Sequence, residues 1–206
     1  MSKIEQNEAN QPSLDQTFWN ERWQTQQTGW DIGHAAPAIC NYIAQYPNKQ
    51  AAILIPGCGN AHEAHFLIQQ GFTNITLLDI APLAVEQVKE KFAPFPEVKV
   101  VCANFFEHQP HTNYDLILEQ TFFCALHPDL RPNYVQKMAS LLKPEGKLVG
   151  LLFAVQFEKP GPPFGGTITD YLSIFAPYFD FKTLAPCYNS IAPRANTELF
   201  MIAYKR

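Results

Sequence analysis

The chain has 206 residues, 47% of them hydrophobic and 17% charged, a composition that builds one well-cored domain and is too short for two. Its net charge of −4 comes with lysines and arginines scattered singly, which argues against a nucleic-acid partner. The N-terminus lacks the apolar stretch of a secretion signal, the run from Leu148 to Val155 is far below the ~18 residues of a membrane span, and the 5 cysteines contain no C-x-x-C pair, so a cytoplasmic protein without disulfides or a membrane partner is expected.

Residues 1–15 are polar and without periodicity, which predicts a mobile tail ahead of a single domain over 16–206. Two helix-like segments, Thr17 to Gln27 and Pro37 to Tyr46, joined through Thr28-Gly29-Trp30-Asp31-Ile32-Gly33, form an N-terminal cap over 16–46. Apolar strands then alternate with helical patterns. The strands are Ile53–Pro56, Ile75–Asp79, Val98–Cys102, Leu116–Glu119 and Lys147–Val155, and the helices are Ala61–Gln70, Pro82–Phe92 and Arg131–Leu142. Such alternation predicts an α/β fold, a mostly parallel sheet with helices on both faces. Gly161-Pro162-Pro163-Phe164-Gly165-Gly166 fits no strand or helix interior and reads as a lid or pocket wall. A helix at Ile168–Phe175 follows, and Phe181–Tyr188 with Glu198–Tyr204 reads as an antiparallel closing pair.

The first strand runs through Gly57-Cys58-Gly59 into a helix. Glycines there let the backbone turn sharply and approach a ligand, and the new helix offers unpaired N–H groups. Asp79 ends the next strand roughly 20 residues on, where an acid can hold ribose hydroxyls. A nucleoside site is therefore expected. At the third position of G-x-G-x-x-G, where a dinucleotide fold wants Gly or Ala, stands the bulkier His62. The turn thus suits S-adenosylmethionine, which has ribose and adenine but no phosphate, better than a nicotinamide dinucleotide. A plain tight turn in an ordinary α/β protein is the bland alternative. Cys58, His62 and His65 match no metal motif, so no metal is expected. Cys124 reads as a small buried hydrophobe rather than a nucleophile, and His127-Pro128-Asp129 as a helix N-terminal turn.

Five segments, taken in order, carry a resemblance: Phe18-Trp19-Asn20-Glu21-Arg22-Trp23 with Trp30 after it, Ile55-Pro56-Gly57-Cys58-Gly59, Leu78-Asp79-Ile80, Glu119-Gln120-Thr121-Phe122-Phe123-Cys124-Ala125-Leu126, and Pro160-Gly161-Pro162-Pro163-Phe164. From about Phe18 onward the chain resembles the thiopurine S-methyltransferase family and, within it, the thiol and halide methyltransferases. The resemblance implies a Rossmann-like fold, S-adenosylmethionine as cofactor, and methyl transfer to a small sulfur, selenium or halide nucleophile. It also implies that Trp19, Trp23 and Trp30 surround the cofactor, with Gly57 and Gly59 at its methionine end and Asp79 and Ile80 at the ribose. Asn104 and Phe105 would lie along the adenine, and Glu119 and Gln120 would pass beneath the sulfonium. Asn104 and Gln120 stand where plant-type thiol methyltransferases tend to have Asp and Tyr, and Phe164 replaces a Tyr of that branch.

Methyl transfer from a sulfonium is an in-line displacement, so the protein must chiefly align the reactants and exclude water. An anionic nucleophile neutralises the sulfonium in the transition state, a change that a dry pocket favours. Phe122, Phe123, Phe164 and Tyr171 are the candidate pocket residues, and tryptophans facing the sulfonium would add roughly 0.5–2 kcal/mol each. No dedicated base is evident. Glu119 and Tyr171 are the nearest titratable groups, and either can be structural. The expected activity is methyl transfer to a thiol, hydrosulfide, thiocyanate or halide by a monomer. The alternatives are a thiopurine or metalloid methyltransferase, a non-catalytic S-adenosylmethionine-binding module, and a nicotinamide-dependent oxidoreductase.

Overall fold

The computed structural model describes residues 13–206, so the expected polar tail lies outside the described residues up to residue 12. The Asp15 carboxylate accepts from Phe18 N–H and caps α1 (Gln16–Gln24). This helix stops short of the predicted Gln27 because Thr25 bonds back to the Glu21 carbonyl and Gln26 turns left-handed, at φ 56°. Then come α2 (Pro37–Ala44), β1 (Ile53–Pro56), α3 (His62–Gln69), β2 (Ile75–Asp79), α4 (Pro82–Phe92), β3 (Val98–Cys102) and β4 (Tyr114–Gln120). After two single-turn helices at Phe123–Ala125 and Pro128–Leu130 follow α5 (Arg131–Leu141), β5 (Leu142–Phe153), α6 (Ile168–Phe175), β6 (Phe179–Pro186) and β7 (Glu198–Lys205).

The strands build one sheet in the order β3-β2-β1-β4-β5-β7-β6. The first five run parallel, and β7 lies antiparallel between β5 and β6. Strand order reverses at β1, which has β2 on one side and β4 on the other, so the crevice beyond the ends of these strands is where an open α/β sheet binds its ligand. Both faces are covered, which is why β1 and β2 are buried along their whole lengths rather than alternating. Ile53, Ile55, Leu116, Leu118 and Val149 pack toward Ile39 and Ile43 of α2, Leu67 of α3 and Phe92 of α4. On the other face Leu54, Ile117 and Leu148 pack toward Tyr134 and Met138 of α5 and Phe175 of α6. Among the described residues no helix is long and apolar enough to cross a membrane.

Strand boundaries differ from the sequence pattern as well. Leu142 pairs with Tyr114 before Pro144-Glu145-Gly146 bulges out, Glu145 at φ 61°, and pairing resumes at Lys147 opposite Leu116. A Lys143–Asp115 ion pair at 2.8 Å, with Asp115 also accepting from Ala52 N–H, holds that bulge. The closing strand begins at Phe179, two residues before the expected Phe181, because Phe179 packs into the core against Phe175.

Gly150 of β5 lies opposite Glu119 of β4, and a Cβ on it would fall 2.1 Å from the Glu119 carbonyl oxygen. Neither strand can retreat from the middle of a paired sheet. Gly150→Ala should therefore cost about 3 kcal/mol of stability. Thermal or urea denaturation checks it, and an unchanged midpoint would show slack between the two strands.

Candidate active site

The chain leaves β1 through Gly57 at φ 58°, and Gly59 at φ 49° and Ala61 at φ 52° keep the turn left-handed until α3 begins at His62. Gly57 admits no side chain: a Cβ would lie 2.4 Å from Cδ2 of Phe122. Asp79, at the end of β2, accepts from Gly59 N–H through Oδ2 and from Ala81 N–H through Oδ1, both at 3.0 Å. Burial pushes its carboxyl above the usual range, and the amide donors act against that. Each oxygen still has acceptor capacity, which fits the vicinal hydroxyls of a ribose.

The segment carrying the three tryptophans folds over this turn. Trp19, Trp23 and Trp30 are half-buried and meet edge to face, Trp30 lying 5.6 Å from Trp19 and 6.2 Å from Trp23. Trp23 covers Gly59, its Cζ2 3.7 Å from the place of a Cβ there. Asp31 bonds both Asn60 and His62, the latter at 2.8 Å, tying the segment to the start of α3. His62, which departs from the dinucleotide fingerprint, thus holds the cap. Arg194 Nη2 donates to the Trp30 carbonyl at 2.7 Å, and Nη1 lies 3.4 Å from Glu198. The Ile80 carbonyl accepts from Gln16 Nε2 at 3.1 Å.

Glu119 is wholly buried at the end of β4. Its Oε1 accepts from the amides of Phe122 at 2.8 Å and Phe123 at 2.9 Å, and its Oε2 accepts from Tyr134 Oη at 2.5 Å. Burial raises its pKa to about 7 against the pull of those donors. Gln120 lines a small cleft with Ile32, Ser190 and Arg194, where its Oε1 and Ser190 Oγ are buried without partners. Asn104 accepts from Phe106 N–H in a turn after β3.

The aromatic residues divide into two groups. Phe122 is half-buried against Gly57, and Phe164 lies beside His127, its N–H donating to the Cys124 carbonyl at 2.7 Å. Phe105, Phe123 and Tyr171 instead sit in the core. Phe105 packs on Phe122 and Tyr134, Phe123 on Tyr134 and Tyr171, and Tyr171 Oη donates to the Phe153 carbonyl. They back the wall rather than surface it. Arg131, buried, donates to the carbonyls of Phe164 and Gly165 and lies over the Phe123 ring at 4.7 Å. Burial pushes the Cys124 thiol up to about 12, so it is protonated at neutral pH, although Arg194 and Arg131 pull the other way.

A glycine turn facing a buried acid lies at the switch point of this seven-stranded sheet, where open α/β sheets bind their ligands. The chain is 33% identical over 187 residues to probable thiol methyltransferase 2 of Arabidopsis thaliana, covering 87% of this chain and 81% of that protein. It is 30% identical over 192 residues to thiocyanate methyltransferase 1 of Brassica oleracea, covering 90% and 84%. Its fold is similar to that of a 1,6-didemethyltoxoflavin-N1-methyltransferase from Burkholderia thailandensis, solved with S-adenosylhomocysteine, at a TM-score of 0.71 and 15% identity, over 100% of this chain and 91% of that one. Residues 14–198 match the thiopurine S-methyltransferase family, and the chain belongs to it.

Several residues that shape the site escape sequence reasoning. Asp31, Asn60, Arg131, Tyr134 and Arg194 act through partners far along the chain, and only the i,i+4 spacing of Arg194 and Glu198 is a local signal. Glu119 gives a pH-dependent handle. Its carboxyl is raised from 4.5 to about 7 on folding, so the stability it contributes is full below 4.5 and lost as pH rises through 7. Between roughly pH 5 and 8 the thermal midpoint of Glu119→Gln should fall less with rising pH than that of the wild type. Parallel profiles for the two proteins would assign the titration to another group.

Proposed function

We propose that the chain methylates a small, soft anionic nucleophile, a thiolate, hydrosulfide, thiocyanate or halide, as a cytoplasmic monomer. The observation that carries this reading is Arg131. Its guanidinium is buried beside Phe123 and the Phe164 loop, and among the described residues its recorded hydrogen bonds go to neutral carbonyls and it forms no ion pair. Arg194 adds positive potential that reaches Cys124 together with that of Arg131, and the Glu119 carboxyl opposes both there. An apolar wall with a guanidinium held only by carbonyls behind it favours an anion that sheds its water easily. The names of the Arabidopsis and Brassica relatives, a thiol and a thiocyanate methyltransferase, support the same acceptor class.

In this reading Asp79 would hold the ribose of S-adenosylmethionine, the Gly57–Gly59 turn its amino-acid end, and the tryptophan segment would exclude water. The cofactor supplies an electrophilic methyl group on a sulfonium. Phe122 and Phe164 position the acceptor, and no side chain has to accept a proton when the nucleophile arrives as an anion. Glu119 is committed to the Phe122 and Phe123 amides and to Tyr134, so it holds the wall.

Asp79→Ala should weaken S-adenosylhomocysteine binding by roughly tenfold or more, since hydroxyls bonded to a charged partner lose that partner. Calorimetry decides it, and unchanged affinity would remove Asp79 from the ribose. For acceptors, hydrosulfide, thiocyanate, iodide and aromatic thiolates should outrun alcohols and amines. The rate with a neutral thiol should rise with pH toward the thiol pKa while that with iodide stays flat. Transfer of labelled methyl across a nucleophile panel tests this, and amines ahead of every sulfur and halide acceptor would overturn it.

A further inference from the structure

The N-terminal end of α4 lacks a cap of its own. Ala81 occupies the N-cap position with no side-chain hydrogen bond, and Pro82 after it has no N–H to give. Leu83 therefore carries the first orphan amide of this helix, and it donates to Oδ1 of Asn20, on α1, at 2.9 Å. Gln16, one turn earlier on the same face of α1, donates to the Ile80 carbonyl at 3.1 Å. Both anchors grip the connection that begins right after Asp79. No residue of α1 is fully buried, so hydrogen bonds carry a large share of its docking. The same helix bears Trp19 and Trp23, and Trp23 covers Gly59.

We infer that Asn20 is a positioning residue for the cofactor: by capping α4 from another helix, it holds the tryptophan segment closed over the nucleoside turn and so sets affinity for S-adenosylmethionine. This rests on the assignment of that turn as the cofactor site. The cap exists only while α1 is docked. Losing it lowers the docked fraction, and apparent cofactor affinity falls by the same factor. A cap of this kind changes the docking equilibrium constant roughly fivefold, which is the upper limit of the change in that fraction.

The test uses the full chain and S-adenosylhomocysteine as probe. Asn20→Ala should raise the dissociation constant and the KM for S-adenosylmethionine measurably and by up to roughly fivefold, with kcat at saturating cofactor within about twofold of wild type. Amide exchange over Gln16–Gly33 should speed up in the ligand-free variant. Asn20→Asp, an equally good cap, should restore affinity. Adding Ala81→Ser to Asn20→Ala gives α4 a local cap, so it should recover thermal stability but not affinity. Unchanged affinity in Asn20→Ala overturns the inference, as does affinity restored by Ala81→Ser, which would mean that only the stability of α4 matters. A wild-type chain that does not bind the probe overturns the cofactor assignment and this inference with it.

Discussion

The carboxylate of Glu119 is the group on which the arrangement of the site depends. It is the last residue but one of β4, the strand between β1 and β5, and it is wholly buried. Its three hydrogen bonds, from the amides of Phe122 and Phe123 and from Tyr134 Oη, let the chain leave the sheet at Thr121, at φ 57°, without orphaning buried donors. That turn puts the Phe122 ring against Gly57, where no side chain would fit. It also directs Phe123 inward to Tyr134, Tyr171 and the guanidinium of Arg131. One buried carboxyl thus sets the shape of the nucleoside turn on one side and of the aromatic wall on the other. Removing its oxygens would leave two amides and a phenol unsatisfied inside the core.

Burial and hydrogen bonding oppose each other at this carboxylate, as they do at Asp79. In both, burial dominates and the pKa rises, to about 7 for Glu119. The donors present nevertheless suit the charged form. Both acids stand near the ends of parallel strands, where backbone amides of adjacent turns converge on them. The fold thereby supplies anion-binding geometry to side chains of its own, and a bound ribose has only to share Asp79 with the two amides already there.

Much of this fold was legible in the sequence, because parallel strands buried on both faces are read from continuous apolar runs. β1, β2 and β3 lie where those runs predict, and the glycines and Asp79 follow from their places at strand ends. Aromatic residues were less legible. Phe122, Phe123 and Tyr171 look alike as pocket candidates, yet only Phe122 reaches the glycine turn while the other two are 1% and 0% exposed. Residue type does not tell which way a ring turns at an irregular bend such as Thr121–Phe123. The long-range ties were not legible at all. Asn20 to Leu83, Asp31 to His62 and Arg194 to Trp30 join segments 63, 31 and 164 positions apart, and none leaves a local pattern.

The charges of the site are sorted. The Asp79 carboxyl sits at the nucleoside turn, and the Arg131 guanidinium stands behind the wall at Phe164. Arg194 is partly neutralised, with Glu198 at 3.4 Å, but among the described residues Arg131 has only carbonyl partners and aromatic faces around it. Burying a cation this way is unfavourable by itself, and a carboxylate partner would relieve it at the cost of the positive potential. The Phe164 and Gly165 carbonyls relieve it without cancelling the charge, since they offer partial charge only. The same contacts hang the Gly161–Gly166 loop on α5, so the residue that gives the wall its sign also fixes its position. Cation and wall therefore cannot be altered separately: a substitution that neutralises Arg131 also releases Phe164.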